Sequence, residues 1–216
     1  MRRVPTAVLI SGRGSNFSAL HRASLTPDYP AEIRLVVSNR ADAGGLALAE
    51  AAGVARRVVE HRQFGRDREG FEAALDAVLA EAGIELVALA GFMRLLTATF
   101  VERWRDRLVN IHPSLLPAFP GTDTHARALA AGVRIHGCTV HLVRAEMDCG
   151  PILAQGALAV HEDDSADSLA ARVLAVEHRI YPAALALLAA GRVRVCGARA
   201  WLDAAPVADV LVNPPA

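Results

Sequence analysis

The 216-residue chain contains no lysine: all 23 basic residues are arginine, and 23 acidic residues bring the formal net charge to zero. Without a lysine amine, Schiff-base catalysis, a pyridoxal anchor and a phosphate-loop lysine are excluded. Electroneutrality removes the global cationic field that holds nucleic acid, so no nucleic-acid partner is expected. Cysteine is nearly absent too. Cys138, Cys149 and Cys196 form no CxxC pair, which argues against a disulfide framework and a cysteine zinc site and points to a reducing cytoplasm. No apolar run is long enough to span a bilayer, and the stretch Thr6 to Ile10 is broken at once by Gly12 and Arg13, too short for a signal peptide. No membrane association is expected.

What is present is an alternation of short apolar runs and amphipathic stretches. Ala7 to Ile10 and Ile33 to Val37 predict strands, with helices from about Asn16 and Asp42. Phe71, Ala74, Leu75, Val78 and Leu79 recur at helical spacing before a stop at Gly83, and Leu86 to Ala90 reads as a buried strand. Thr97 caps a short helix through Trp104, and Leu108 to His112 closes the parallel series. The second half changes character. Two longer strands, Ile135 to Val143 and Ile152 to Val160, precede a helix from about Ser168 to Ala190, with a kink expected at Tyr181-Pro182. One α/β domain over 1–203 is expected, with a phosphate-binding half (about 1–111), a mixed or antiparallel half (about 112–203) and a loose tail over 204–216.

Two segments carry chemistry. Ser11-Gly12-Arg13-Gly14-Ser15-Asn16 follows the first strand and opens the first helix, where backbone N–H groups and the helix dipole converge on an anion. Glycines there let a phosphate approach closely. A dinucleotide fingerprint would need a third glycine at Phe17 and an acid near Ser38-Asn39, so a mononucleotide or sugar phosphate fits better; a plain tight turn is the alternative. On the strand Leu108 to His112, Asn110 and His112 face one way at the carboxyl end of the sheet. A carboxamide N–H and a protonated imidazole suit an oxygen that becomes negative when a carbonyl is attacked. The plainer reading is a histidine satisfying a backbone group near Pro113.

The longer pattern decides between them. Asn110-Ile-His-Pro-Ser-Leu-Leu-Pro117, Gly121, His136-Gly-Cys-Thr-Val-His141 and Asp148-Cys-Gly-Pro151, with Ala90-Gly-Phe-Met-Arg94 upstream, resemble the folate-dependent formyltransferases, specifically their purine-pathway branch. The resemblance spans roughly residues 6 to 203. It implies a Rossmann-like formyltransferase fold and formyl transfer from N10-formyltetrahydrofolate to the amine of glycinamide ribonucleotide, without metal or covalent enzyme intermediate, in a monomer or homodimer.

Carried over position by position, the resemblance makes Asn110, His112 and Asp148 catalytic. It assigns Gly12, Arg13, Gly14, Ser15, Asn16 and Glu177 to the ribonucleotide. Met93, Arg94, Leu95, Leu96, Val143, Ala145 and Glu146 fall to the folate, with Arg68 and Arg94 placed for its anionic tail. It also implies a cis bond at Leu116-Pro117, whereas Pro120 to His125 departs from familiar members, which leaves Asp123 without an assigned contact. In the implied mechanism Asp148 keeps His112 charged and relays the proton toward N10. The competing enzyme reading is a metal hydrolase using His112, His125, His136, His141 and Asp148, none of the histidines at i, i+4 spacing. Other formyltetrahydrofolate-using enzymes would carry further domains, and a noncatalytic nucleotide-binding regulator would not need the Asn110, His112 and Asp148 set.

Overall fold

The computed structural model describes residues 2–204. The tail expected over 204–216 lies, beyond Ala204, outside the described residues. Strands β1 (Val4–Ile10), β2 (Ala31–Ser38), β3 (Ala55–Val58), β4 (Leu86–Leu89), β5 (Leu108–His112), β6 (Ile135–Leu142) and β7 (Ile152–Ala159) build one sheet in the order β3-β2-β1-β4-β5-β6-β7. The first five strands pair in parallel, whereas β5–β6 and β6–β7 are antiparallel. The expected change of character therefore falls between β5 and β6.

Helices α1 (Ser15–Ser24), α2 (Gly45–Ala51), α3 (Arg68–Glu81), α4 (Ala98–Arg103), α5 (Thr124–Ala130) and α6 (Ala166–Ala189) surround the sheet. Because both faces are covered, β1 is buried from Pro5 onward, and its residues 7–10 are all apolar rather than alternating. Val8 and Ile10 pack with Leu20, Leu169, Val173 and Leu185, while Ala7 and Leu9 pack with Leu75, Leu79, Phe100 and Trp104. A hairpin of β8 (Val193–Cys196) and β9 (Arg199–Leu202) follows α6.

Local signals set the helix ends. Thr97 accepts from the Phe100 N–H and starts α4 as expected. Gly83 takes φ +62°, and the Ile84 N–H returns to the Leu79 carbonyl, closing α3. Helix α6 starts two residues earlier than its expected Ser168, because Ser165 and Ser168 form a reciprocal capping box. It continues through Pro182, whose carbonyl accepts from the Tyr29 hydroxyl at 2.7 Å. Strand order reverses between β1 and β4, so the crevice at their carboxyl ends is where an open α/β sheet places ligands. The Ser11 to Asn16 loop leaves β1 there, and the segment Gly91 to Leu96 leaves β4 beside it.

Candidate active site

Asn110 and His112 sit at the end of β5, and antiparallel pairing with β6 places His141 opposite Asn110 and Thr139 opposite His112. His141 Nδ1 is 3.1 Å from the Leu142 carbonyl, which only accepts, so this nitrogen carries the proton. Its Nε2 lone pair then accepts from Asn110 Nδ2 at 3.2 Å. Burial lowers the His141 pKa, in keeping with that neutral form. His141 thus fixes which way the Asn110 carboxamide points.

The segment between β6 and β7 returns Asp148 to this strand end. Its neck is closed by the Leu142 N–H bonding the Pro151 carbonyl at 2.9 Å, and Gly150 fits because a Cβ there would stand 1.6 Å from the Leu142 carbonyl oxygen. An Arg144–Asp106 ion pair holds the segment's base. Asp148 itself adopts φ +57°. Its Oδ2 accepts from the Gly121 N–H at 2.8 Å and lies 3.5 Å from His112 Nδ1, while Oδ1 is 3.9 Å from His141 Nε2. The four side chains form one largely buried cluster.

His112 Nε2 lies 3.0 Å from the Phe119 carbonyl. Phe119 is held at φ +54°, a conformation unusual for a bulky residue, and strain of this kind is characteristic of functional turns. Both ring nitrogens of His112 therefore face oxygen acceptors. The histidine does satisfy a backbone group, as the plainer reading has it, and it faces Asp148 as well. Leu116-Pro117 in the same turn is cis, as the resemblance implies. Asp123 takes φ +56° at the start of α5 without capping it through its side chain, and His125 Nδ1 lies 3.3 Å from His136 Nε2. Asp148 also lines a cavity of about 440 Å³ together with Leu116, Pro117, Ile152 and Arg199.

The glycine loop sits at the N-terminus of α1, whose first turn has no side-chain cap and no acidic residue. Its two glycines differ in role. Gly14 has φ +78°, and a Cβ there would meet Gly45 Cα at 2.5 Å, so its smallness serves helix packing. Gly12 has open space where its Cβ would be. Gly14→Ala is expected to destabilise the fold by about 2 kcal/mol or more, from the left-handed backbone and the clash, lowering the melting temperature by roughly 4 °C or more. Gly12→Ala is expected to leave melting unchanged and to weaken anion binding, as read by calorimetry.

Asn16 and Glu177 meet across the loop: Asn16 Nδ2 donates to Glu177 Oε2 at 2.7 Å. Burial raises the Glu177 pKa, and the Asn16 bond opposes that rise. Asn16 Oδ1 is buried without a partner among the described residues. Arg13 and Ser15 flank the loop, Arg13 exposed and Ser15 half-buried.

Across the crevice, Met93 and Leu95 are exposed apolar side chains, 67% and 66% accessible, and Leu96 is half-buried. Arg94 stacks over the Phe71 ring at 5.7 Å with its Nε unpartnered, while Arg68 donates to the Leu95 carbonyl at 2.6 Å. Arg68 therefore also braces this wall. Val143 packs into the core through its partly buried side chain, whereas Ala145 and Glu146 stand exposed on the Asp148 segment. The site role of His141 was not legible as such; the β5–β6 register was the missing signal.

The chain matches the formyl transferase family over residues 4–185. It belongs to that family. It is 43% identical over 196 residues to the phosphoribosylglycinamide formyltransferase of Escherichia coli, covering 91% of this chain and 92% of that one. The trifunctional purine biosynthetic protein adenosine-3 of Gallus gallus is 50% identical over 193 residues, which are 89% of this chain but 19% of that much longer protein. The structure superposes on the glycinamide ribonucleotide transformylase 1 of Symbiobacterium toebii with a TM-score of 0.90 at 43% identity, covering 93% and 94% of the two chains. The sheet with its parallel first half and antiparallel second half is the formyltransferase fold.

Proposed function

We propose that this formyltransferase moves a formyl group from N10-formyltetrahydrofolate to the amine of glycinamide ribonucleotide, in the cytoplasm, as a step of purine synthesis. The observation that carries this reading is the cluster of Asn110, His112, His141 and Asp148 at the strand ends, where the glycine loop and the Met93–Leu95 segment also emerge. The Gly12 to Asn16 amides take the phosphate, with Arg13 and Ser15 at its edge. Glu177 and Asn16 take the donor groups of the ribose and amine. Met93, Arg94, Leu95, Leu96, Val143, Ala145 and Glu146 flank the folate, and Arg68 and Arg94 lie toward its anionic tail.

The amine attacks the formyl carbon, and the carbonyl electron pair moves onto oxygen. Asn110 Nδ2 and His112 Nδ1, the ring nitrogen that is not engaged by the Phe119 carbonyl and stands 3.5 Å from Asp148, donate N–H groups to that oxyanion, an interaction that strengthens as charge develops. Asp148 offsets the positive imidazole and, through water, carries the proton lost by the attacking nitrogen toward N10. Collapse of the intermediate breaks the C–N10 bond and leaves tetrahydrofolate and the formylated ribonucleotide.

This chemistry asks nothing of a Lewis acid, and the histidine nitrogens suit metal ligation poorly. His112 Nε2 and His141 Nδ1 point at carbonyls, and His136, its pKa pushed down to about 4 chiefly by burial, bonds the Pro113 backbone. Purified protein is expected to form formylglycinamide ribonucleotide from the two substrates, with turnover unchanged after dialysis against a strong chelator. Loss of turnover restored by zinc or manganese would favour the hydrolase reading instead.

A further inference from the structure

The two substrate-facing segments are joined by a serine hydroxyl at the root of the glycine loop. Ser11 Oγ accepts from the Met93 N–H at 2.7 Å and donates to Asn39 Oδ1 at 2.6 Å. Ser11 and Asn39 are 7% and 2% accessible, and Asn39 is anchored in turn, its carbonyl lying 2.7 Å from His61 Nδ1. One side chain thus ties the ends of β1 and β2 to the segment after β4. Beyond Ala90, whose N–H bonds the Leu9 carbonyl at 2.9 Å, the β1–β4 ladder has ended. From there the Ser11 hydroxyl bonds the backbone of the folate-facing segment directly to the loop.

We propose that Ser11 is a positioning residue that couples the two substrate sites, an inference that rests on the function proposed above. The residue following Ser11 is Gly12, the first of the loop. An anion drawn onto the loop amides restrains the backbone on one side of Ser11, and its hydroxyl passes that restraint to Met93. Ribonucleotide binding therefore orders the folate wall, and folate binding orders the loop. Such coupling is reciprocal, and couplings of this kind are typically roughly 5- to 150-fold in affinity. It also fixes the relative placement of amine and formyl carbon, on which the rate depends steeply.

The test uses the full chain and a pair that binds without reacting, tetrahydrofolate and glycinamide ribonucleotide. Calorimetry on the wild-type protein is expected to show tetrahydrofolate binding roughly 5-fold or more tighter when the ribonucleotide is saturating, and the converse by the same factor. Ser11→Ala removes the acceptor; Ser11→Cys keeps the volume but offers only a weak one. In both variants the coupling factor is expected to fall toward one while the ribonucleotide alone binds as before, and kcat falls by roughly 10-fold. Should Ser11→Ala not fold, Ser11→Cys carries the test, with near-ultraviolet dichroism reporting its packing. A merely structural serine would alter melting and leave the coupling factor intact. Coupling retained in a folded variant, or absent from the wild-type protein, overturns the proposal. A wild-type chain that binds neither ligand overturns the functional reading itself.

Discussion

Asp148→Asn is expected to lower kcat by roughly 10²-fold or more, with little change in the dissociation constant of either substrate. The substitution keeps shape and some hydrogen bonding to the Gly121 N–H, but removes the negative charge 3.5 Å from His112 Nδ1. In the proposed mechanism that charge acts on the transition state, where His112 donates to an oxyanion and a proton must leave the attacking nitrogen. His112→Ala is expected to cost a similar factor. Since the two side chains work on one proton and one oxyanion, the double variant should be far less than multiplicatively worse. Single-turnover rates with calorimetric affinities check this. A fully multiplicative double variant, or near-normal turnover in Asp148→Asn, would separate Asp148 from His112 in the mechanism.

The sequence made the parallel half of the sheet legible because buried strands leave an unambiguous mark. Strand β4 and the runs 7–10 of β1 and 35–37 of β2 are apolar on both faces, and helices separate them. Strand β3 left none: Ala55-Arg-Arg-Val58 is an exposed edge strand without an apolar run. Helix α5 and the β8–β9 hairpin are short, and each is defined by what it packs against rather than by its own periodicity. At the site, the facing of Asn110 and His112 follows from strand alternation alone. The approach of Asp148 does not. It depends on the β5–β6 register, on the neck that Gly150 permits and on a left-handed Asp148, none of them legible in the sequence, where only the motif resemblance paired Asp148 with His112. The glycine loop was legible as a whole, but the division of labour between Gly12 and Gly14 was not, since the packing partner Gly45 lies on another helix.

Asn110 offers the other large effect, and here a nearly isosteric change is expected to be worse than truncation. Asn110→Ala removes one donor to the oxyanion and should lower kcat by roughly 10²- to 10³-fold, the usual cost of such a donor. Water can enter the space and recover part of that loss. Asn110→Asp keeps the side-chain volume but replaces the N–H donor with an acceptor, in a part-buried position beside His141 Nε2, the atom that Asp148 Oδ1 approaches at 3.9 Å. The introduced carboxylate, when ionised, repels both the developing oxyanion and Asp148. Alternatively it draws a proton onto His141, whose burial disfavours the charged ring. Either response spoils the donor array, so Asn110→Asp should turn over more slowly than Asn110→Ala. Affinity for the ribonucleotide phosphate, bound at the loop, should be nearly the same in both. Steady-state rates with ribonucleotide calorimetry on the two variants decide it: an Asn110→Asp chain faster than Asn110→Ala would mean that Asn110 orders the strand end instead of donating to the reacting oxygen.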